Sequence, residues 1–265
     1  STGRAGEGTR TGAQADSVVR QAAMAEMLHQ AWLDKTLVPK GKGNERIGAA
    51  LYDEKLRLAL NSPLSRQEIR ARAERELASL RAKMYEVGAG MIKGEAGAPA
   101  APANPTPDQQ QAVIEAGLAK VYADMPPRDQ VLPFARQTLN EAIAFAKAKD
   151  LIGFPSSNFD GIEMPEYARG VAVAYADMPG ALEKDQRGYY DVMPIPPDWS
   201  DEQTASFLRE YNKWAIHELT IHEAVPGHLL QLAHSNRYKS KLRAVLQSPP
   251  MIEDWGCYSQ GLIAA

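Results

Sequence analysis

Three pairs of side chains with capping-box spacing punctuate this 265-residue chain: Ser65 with Glu68, Thr106 with Gln109, and Ser200 with Gln203. In such a pair the first side chain accepts from the backbone N–H of the second residue, whose own side chain reaches back, so two donors that a helix start leaves unpaired are satisfied. Each pair therefore opens a helix. Apolar residues at helical spacing extend the pattern: Val18, Val19, Ala22, Met24, Met27, Leu28 and Trp32 keep one side of a helix apolar over 17–35, and another helical stretch covers 45–60. A helix over 128–149 carries Val131, Phe134, Leu139, Ala142 and Phe145 toward a core. The charges that follow Ser65 (Arg66, Arg70, Arg72, Glu74, Arg75, Glu76) read as a solvated face with neighbouring opposite signs.

Residues 94–105 (GEAGAPAAPANP) read as a linker or mobile loop, because Pro and Gly break both regular structures and the remaining side chains are too small to anchor a core. It divides an N-terminal helical region, 1–93, from a second region, 106–265, which Pro107 enters at the first helical position. Between 151 and 199 helical periodicity fades into Gly, Pro and aromatic residues, and 170–175 and 188–195 read as short strands of a small sheet. The helix opened by Ser200 then carries Phe207, Leu208, Tyr211, Trp214 and Ala215 directly into a cluster of histidines. The expected fold class is mainly α, with a small β-sheet beside the helix that bears those histidines.

Composition removes several classes of function. A net charge of -3 with both signs mixed gives no field to draw in nucleic acid. Cys257 is the single cysteine, so no intrachain disulfide forms. No apolar run is long enough to span a bilayer, and the polar, Gly-rich start over 1–16, read as a loose segment, lacks the apolar stretch of a signal peptide. A signal removed from a longer precursor would leave the same start, so cytoplasmic, periplasmic and secreted locations all stay open. There is no internal repeat, Gly-rich phosphate loop or GxSxG nucleophile elbow.

Four of the five histidines lie between His217 and His234, around the run His222-Glu223-Ala224-Val225-Pro226-Gly227-His228. Imidazole nitrogen is a favoured zinc ligand, and a glutamate beside the first ligand is placed to take a proton from water that the metal activates. The six-residue step from His222 to His228 is unusual. At about 100° per residue an unbroken helix would point the second ring to roughly the far side. Pro226 removes a backbone donor and crowds the preceding turn, while Gly227 permits unusual dihedrals, so the spacing predicts a bulge or kink that returns His228 to the face of His222 and Glu223. His217 and His234 have no such same-face relation and read as half-exposed or hydrogen-bonded helix histidines.

The run 222–231, HEAVPGHLLQ, resembles the HEAxPGHHxQ signature of the domain of unknown function 885 family, bacterial proteins regarded as zinc-peptidase-like. The later Glu253-Asp254-Trp255-Gly256-Cys257-Tyr258 resembles that family's EGWALY segment. Met164-Pro165-Glu166-Tyr167 followed by Tyr189-Tyr190 is similar to the pattern upstream of the signature, and a weaker similarity runs over 47–88. The resemblance implies a largely helical, gluzincin-like metallopeptidase of zincin-like architecture, in which His222, His228 and Glu253 hold zinc and Glu223 is the general base. A carboxylate third ligand agrees with the two-histidine, one-carboxylate set of several zinc hydrolases. A surface carboxylate before a buried Trp255 is the alternative for Glu253. Three departures stand out: Leu229 replaces a second histidine after PGH, Asp254 and Gly256 replace the Gly and Ala of EGWALY, and family members are typically longer. The chain reads as a fragment, a processed piece, or a half completed by a second polypeptide.

The expected function is a zinc-dependent hydrolase acting on a peptide or small amide. By residue type alone, Tyr258, Tyr189 and Tyr190 are candidates for the donor that steadies the developing oxyanion, with packing aromatics as the simpler role. The strand at 188–195 is a candidate to bind an extended peptide by edge pairing, as against pairing only within its own sheet. Two other classes remain in view: a noncatalytic peptide-binding or assembly protein, and a zinc hydrolase of non-peptide amides or esters.

Overall fold

The computed structural model describes residues 10–43, 45–183 and 187–264, and the chain divides into two compact units, Ser1–Glu54 and Lys55–Ala265. In the first unit α1 (Arg10–Trp32) continues through a π-helical turn at Leu33–Leu37 and a 3-10 turn at Val38–Lys40. The boundary falls within α2 (Ala49–Leu60). Helix α1 starts earlier than its sequence suggests: of the start expected to be loose, 10–16 are helical and 1–9 lie outside the described residues. One glycine, Gly12, is a tolerable cost of about 1 kcal/mol in a helix that contains no proline. The apolar residues of α1 are not a buried stripe. Val18, Val19, Met24, Met27, Leu28 and Trp32 are 48–68% exposed.

The second unit opens on α3 (Arg66–Met91) and α4 (Pro107–Ala123), and both expected capping boxes are formed, at Ser65 with Glu68 and at Thr106 with Gln109. Arg81 bonds Gln111 and Lys120 bonds the Met91 carbonyl, so contact positions rise together and the helices run the same way. Residues 94–105 are the strap that returns along α3, with the Tyr85 hydroxyl donating to the Pro102 carbonyl at 2.6 Å. The helices cross at Gly88 and Gly117, where a Cβ on residue 117 would lie 2.9 Å from the Gly88 Cα.

A 3-10 turn at Arg128–Gln130 leads into α5 (Val131–Ala148), which matches the helix expected over 128–149. The sheet that follows has three strands, β1 (Asn158–Glu163), β2 (Ala174–Asp177) and β3 (Arg187–Val192), in the order β1-β3-β2. β1 is parallel and β2 antiparallel to β3. Two strands were expected and their limits shift: 170–175 becomes β2, 188–195 becomes β3, and β1 is additional. Because β3 is central, both its edges are occupied, so the peptide pairing considered for 188–195 is not available there.

The Ser200 capping box opens α6 (Asp201–Glu210) as expected, but this helix does not run into the histidines. It stops at Tyr211, and Asn212 starts α7 (Lys213–Glu223) by accepting from the N–H groups of Trp214 and Ala215. After α7 come α8 (His228–Ser235), α9 (Lys241–Val245) and α10 (Pro249–Ala264). Val131, Ala135 and Leu139 of α5, Tyr190 and Val192 of β3, Ile216 of α7, and Leu229 and Leu230 of α8 share one core. The fold is thus mainly helical with a small sheet. Thr138 and Thr220 share a buried hydrogen bond of 2.7 Å that ties α5 to α7, and the Tyr190 hydroxyl lies 3.4 Å from Thr220 Oγ1.

Asp191, on β3, is fully buried, and among the described residues neither carboxylate oxygen meets hydrogen-bond geometry with a partner. Burial foremost, and then the charge of Asp177, push its pKa up, opposed by the Tyr175 hydroxyl. An acid whose pKa is raised on folding destabilises the fold once ionised; the cost is present above the folded pKa and absent below the unfolded value, ordinarily 3.8. Asp191→Asn keeps the shape and drops the charge. It is expected to raise the melting temperature at alkaline pH by the equivalent of about 1–3 kcal/mol, and to have no such effect below pH 3.8. Equal melting shifts at both pH values would contradict this account.

Candidate metal centre

The two histidines of the HEAVPGH run meet because the helix breaks between them. α7 ends at Glu223 and α8 restarts at His228. Within the turn the backbone bonds lengthen their reach: Val225 N–H goes to the Thr220 carbonyl, Gly227 to Ile221 and Leu230 to Ala224. These steps of five, six and six residues replace the helical four and absorb the extra residues. The imidazoles of His222 and His228 end with ring centroids 4.6 Å apart, as the Pro-Gly spacing predicts. Gly227 is essential to this path, because a Cβ there would lie 1.8 Å from the His222 carbonyl oxygen.

Glu253 reaches the pair from α10. Its Oε2 is 3.7 Å from His222 Nε2 and 3.7 Å from His228 Nε2, too long for hydrogen bonds. Ligand atoms about 2.0–2.2 Å from a tetrahedral ion are separated by about 3.3–3.6 Å, so this spacing suits three donors around one centre. Donor atoms of His222, Glu223 and His228 also lie within 4.8 Å of one another. Two carboxylates and two imidazoles therefore converge. His228 is 7% exposed, and burial, followed by the neighbouring His222, pushes its pKa down, favouring the neutral imidazole that ligates. Its buried Nδ1 has no hydrogen-bond partner among the described residues.

Glu223 sits where a base would be useful. Burial first, and the charge of Glu253 second, raise its pKa to about 7, while a backbone bond from Ala176 on β2 opposes the shift. A cation between the carboxylates would relieve both causes. Gly256 lies against the His222 ring, with a Cβ at 256 placed 2.6 Å from His222 Cε1. Leu229, at the position where the resembled signature has a second histidine, is fully buried in the core, so its side chain is not part of the cluster.

The other residues singled out from the sequence are not among the clustered donors. Tyr258 is 62% exposed and makes a tilted ring contact with Trp255. Tyr190 is buried, and Tyr189 occupies the next position of β3, where side chains alternate faces. His217 packs edge-on against Phe134, and His234 Nε2 bonds the Gly153 carbonyl at 2.7 Å. Two participants are not marked as site residues by the sequence: the Ala176 backbone, whose strand was expected over 170–175, and Gly256, noted only as a departure from EGWALY, whose contact with His222 exists once α10 lies on α7.

The structure is mainly helical, with a break between two histidines and a carboxylate from a later helix beside them. The chain belongs to the DUF885 family of bacterial proteins of unknown function, whose model matches residues 4–264. Among solved structures it is similar to "a putative lipoprotein of unknown function" from Shewanella oneidensis, with 24% identity and a TM-score of 0.70 over 98% of this chain and 46% of that one. It is also similar to "the putative lipoprotein" from Colwellia psychrerythraea, with 17% identity and a TM-score of 0.60 over 81% of this chain and 34% of that one. At these identities the likeness is one of fold, and the chain spans less than half the length of either structure. No curated protein matches it. Among the described residues no helix is long and apolar enough to cross a membrane.

Proposed function

We propose that this chain carries the zinc centre of a gluzincin-like metallopeptidase on a zincin-like fold, with His222, His228 and Glu253 as ligands and Glu223 as general base. The observation that carries the reading is the placement of one Glu253 oxygen 3.7 Å from each imidazole Nε2, as donors around a shared ion are spaced. Zinc held there would supply a Lewis acid for the scissile carbonyl. Glu223, partly buried and raised to about 7, takes the proton from the attacking water and returns it to the leaving nitrogen. β2 is an edge strand whose Ala176 N–H faces Glu223, so an extended peptide laid along β2 would bring its carbonyl to the base. Tyr258, on the helix that carries Glu253, is the candidate oxyanion donor by residue type.

Bound metal per chain tests the reading, measured by elemental analysis on protein purified without added metal. Near-stoichiometric zinc is expected in the wild type, with loss in both His222→Ala and Glu253→Ala. A folded wild type that takes up no zinc when supplied would overturn the reading and favour a noncatalytic peptide-binding or assembly protein. With zinc present, activity on small esters or amides but not on peptides would move the assignment to a non-peptide hydrolase.

A further inference from the structure

Glu253 holds its place without the help of burial. Its side chain is 68% exposed, so the position of its carboxylate follows the placement of α10. One strong bond joins α10 to the turn between the two histidines: the Trp255 indole Nε1–H donates to the Pro226 carbonyl at 2.7 Å. Leu230 N–H, which a regular helix would direct at that carbonyl, bonds Ala224 instead. Two other polar contacts of α10 are weaker: the Ser259 hydroxyl bonds Gly256 within its own helix at 2.7 Å and lies 3.4 Å from the Ile221 carbonyl, and Gln231 Nε2 of α8 donates to the Met251 carbonyl at 3.5 Å. Trp255 follows Glu253 by two residues, and Pro226 lies in the chain between Glu223 and His228. The indole bond therefore links the carboxylate's helix to the segment that sets the imidazole pair.

We propose that Trp255 is a positioning residue for the metal centre, holding α10 at the height where Glu253 Oε2 is equidistant from His222 Nε2 and His228 Nε2. The proposal rests on the zinc reading above and assigns Trp255 no contact with metal or substrate. Without the indole donor α10 loses its shortest hydrogen bond to the turn, and the third ligand shifts from its position while the two histidines keep theirs.

The test is a double-mutant cycle on the full chain, reading zinc affinity by chelator competition and the fold of the metal-free protein by circular dichroism and melting. Trp255→Phe keeps the ring and removes the donor. It is expected to weaken zinc binding roughly 10–100-fold, the usual effect of losing a group that orients a ligand, while the metal-free protein stays folded. In the Glu253→Ala background, where the weakened affinity of the remaining imidazoles is read with zinc supplied in excess, the same substitution is expected to cause no further loss, since Trp255 acts through Glu253. A merely structural tryptophan would weaken both backgrounds alike. Trp255→Tyr, which also lacks the indole donor, replaces Trp255→Phe if the latter does not fold. Unchanged zinc affinity in a folded variant, or an equal loss in the Glu253→Ala background, overturns the positioning role while leaving the zinc reading intact. A wild type that binds no zinc overturns both.

Discussion

Glu223→Gln is expected to keep zinc and lose hydrolysis. The substitution preserves side-chain shape and leaves His222, His228 and Glu253 in place, but an amide cannot accept the proton of the attacking water. General-base contributions of this kind are worth roughly 10²–10⁴-fold in rate, so kcat on a cleaved peptide should fall by that factor with little change in KM. The pH profile gives a second readout. Glu223 works as the carboxylate, so the rate rises with pH as it ionises, and burial and Glu253 set that ionisation at about 7 in the metal-free protein. A cation beside Glu223 moves the rise to lower pH, and in Glu223→Gln this limb disappears. Stability should change in the opposite sense. The folded pKa is raised above the ordinary 4.5, so the ionised carboxylate destabilises the metal-free fold above about 7 and costs nothing below 4.5. Metal-free Glu223→Gln should therefore melt higher than wild type at alkaline pH and no differently in acid. Loss of zinc from Glu223→Gln, or full activity retained by it, would sink the assignment of Glu223 as base.

What could be read from the sequence was what local chemistry decides. The boxes at Ser65, Thr106 and Ser200 are closed by residues three positions apart, and all three are formed. The Pro226-Gly227 break was legible for the same reason, since a six-residue step between imidazoles on one face requires an interruption. The stop at Tyr211 left a signal that could have been used: Asn212 is a strong N-cap residue and starts α7 afresh. Strand limits were harder, because pairing partners set them. Ala174 to Asp177 has little β-branched content and is a strand by virtue of its bonds to β3. The same limit applies to α1, where periodicity marks a helix but carries no information about what covers its apolar side. Ala176 and Gly256 enter the site through tertiary contacts with α7, so no spacing rule points to them.

Gly227→Ala should have the largest structural effect of any single methyl added near the site. A Cβ at residue 227 would lie 1.8 Å from the His222 carbonyl oxygen and 2.3 Å from that of Ile221. Both obstacles are backbone atoms of the last turn of α7, so no side-chain rotation relieves the overlap. The chain must give up the Gly227 N–H bond to Ile221, 3.0 Å long, and re-route the turn that brings His228 to His222. Overpacking typically costs about 1–3 kcal/mol where side chains can yield, and a clash with fixed backbone belongs at or above the upper end of that range. Zinc should be lost with it, because the imidazole pair cannot survive a re-routed turn. Gly261→Ala on α10 is the control: nothing lies within 4 Å of a Cβ there, and the change should be neutral or stabilise by about 0.4–1 kcal/mol. Thermal melting and zinc per chain, measured on both variants, separate a general intolerance of alanine from a requirement at one residue. A Gly227→Ala protein that melts with wild type and keeps its zinc would mean that the turn takes another path and that the imidazoles meet by a different route.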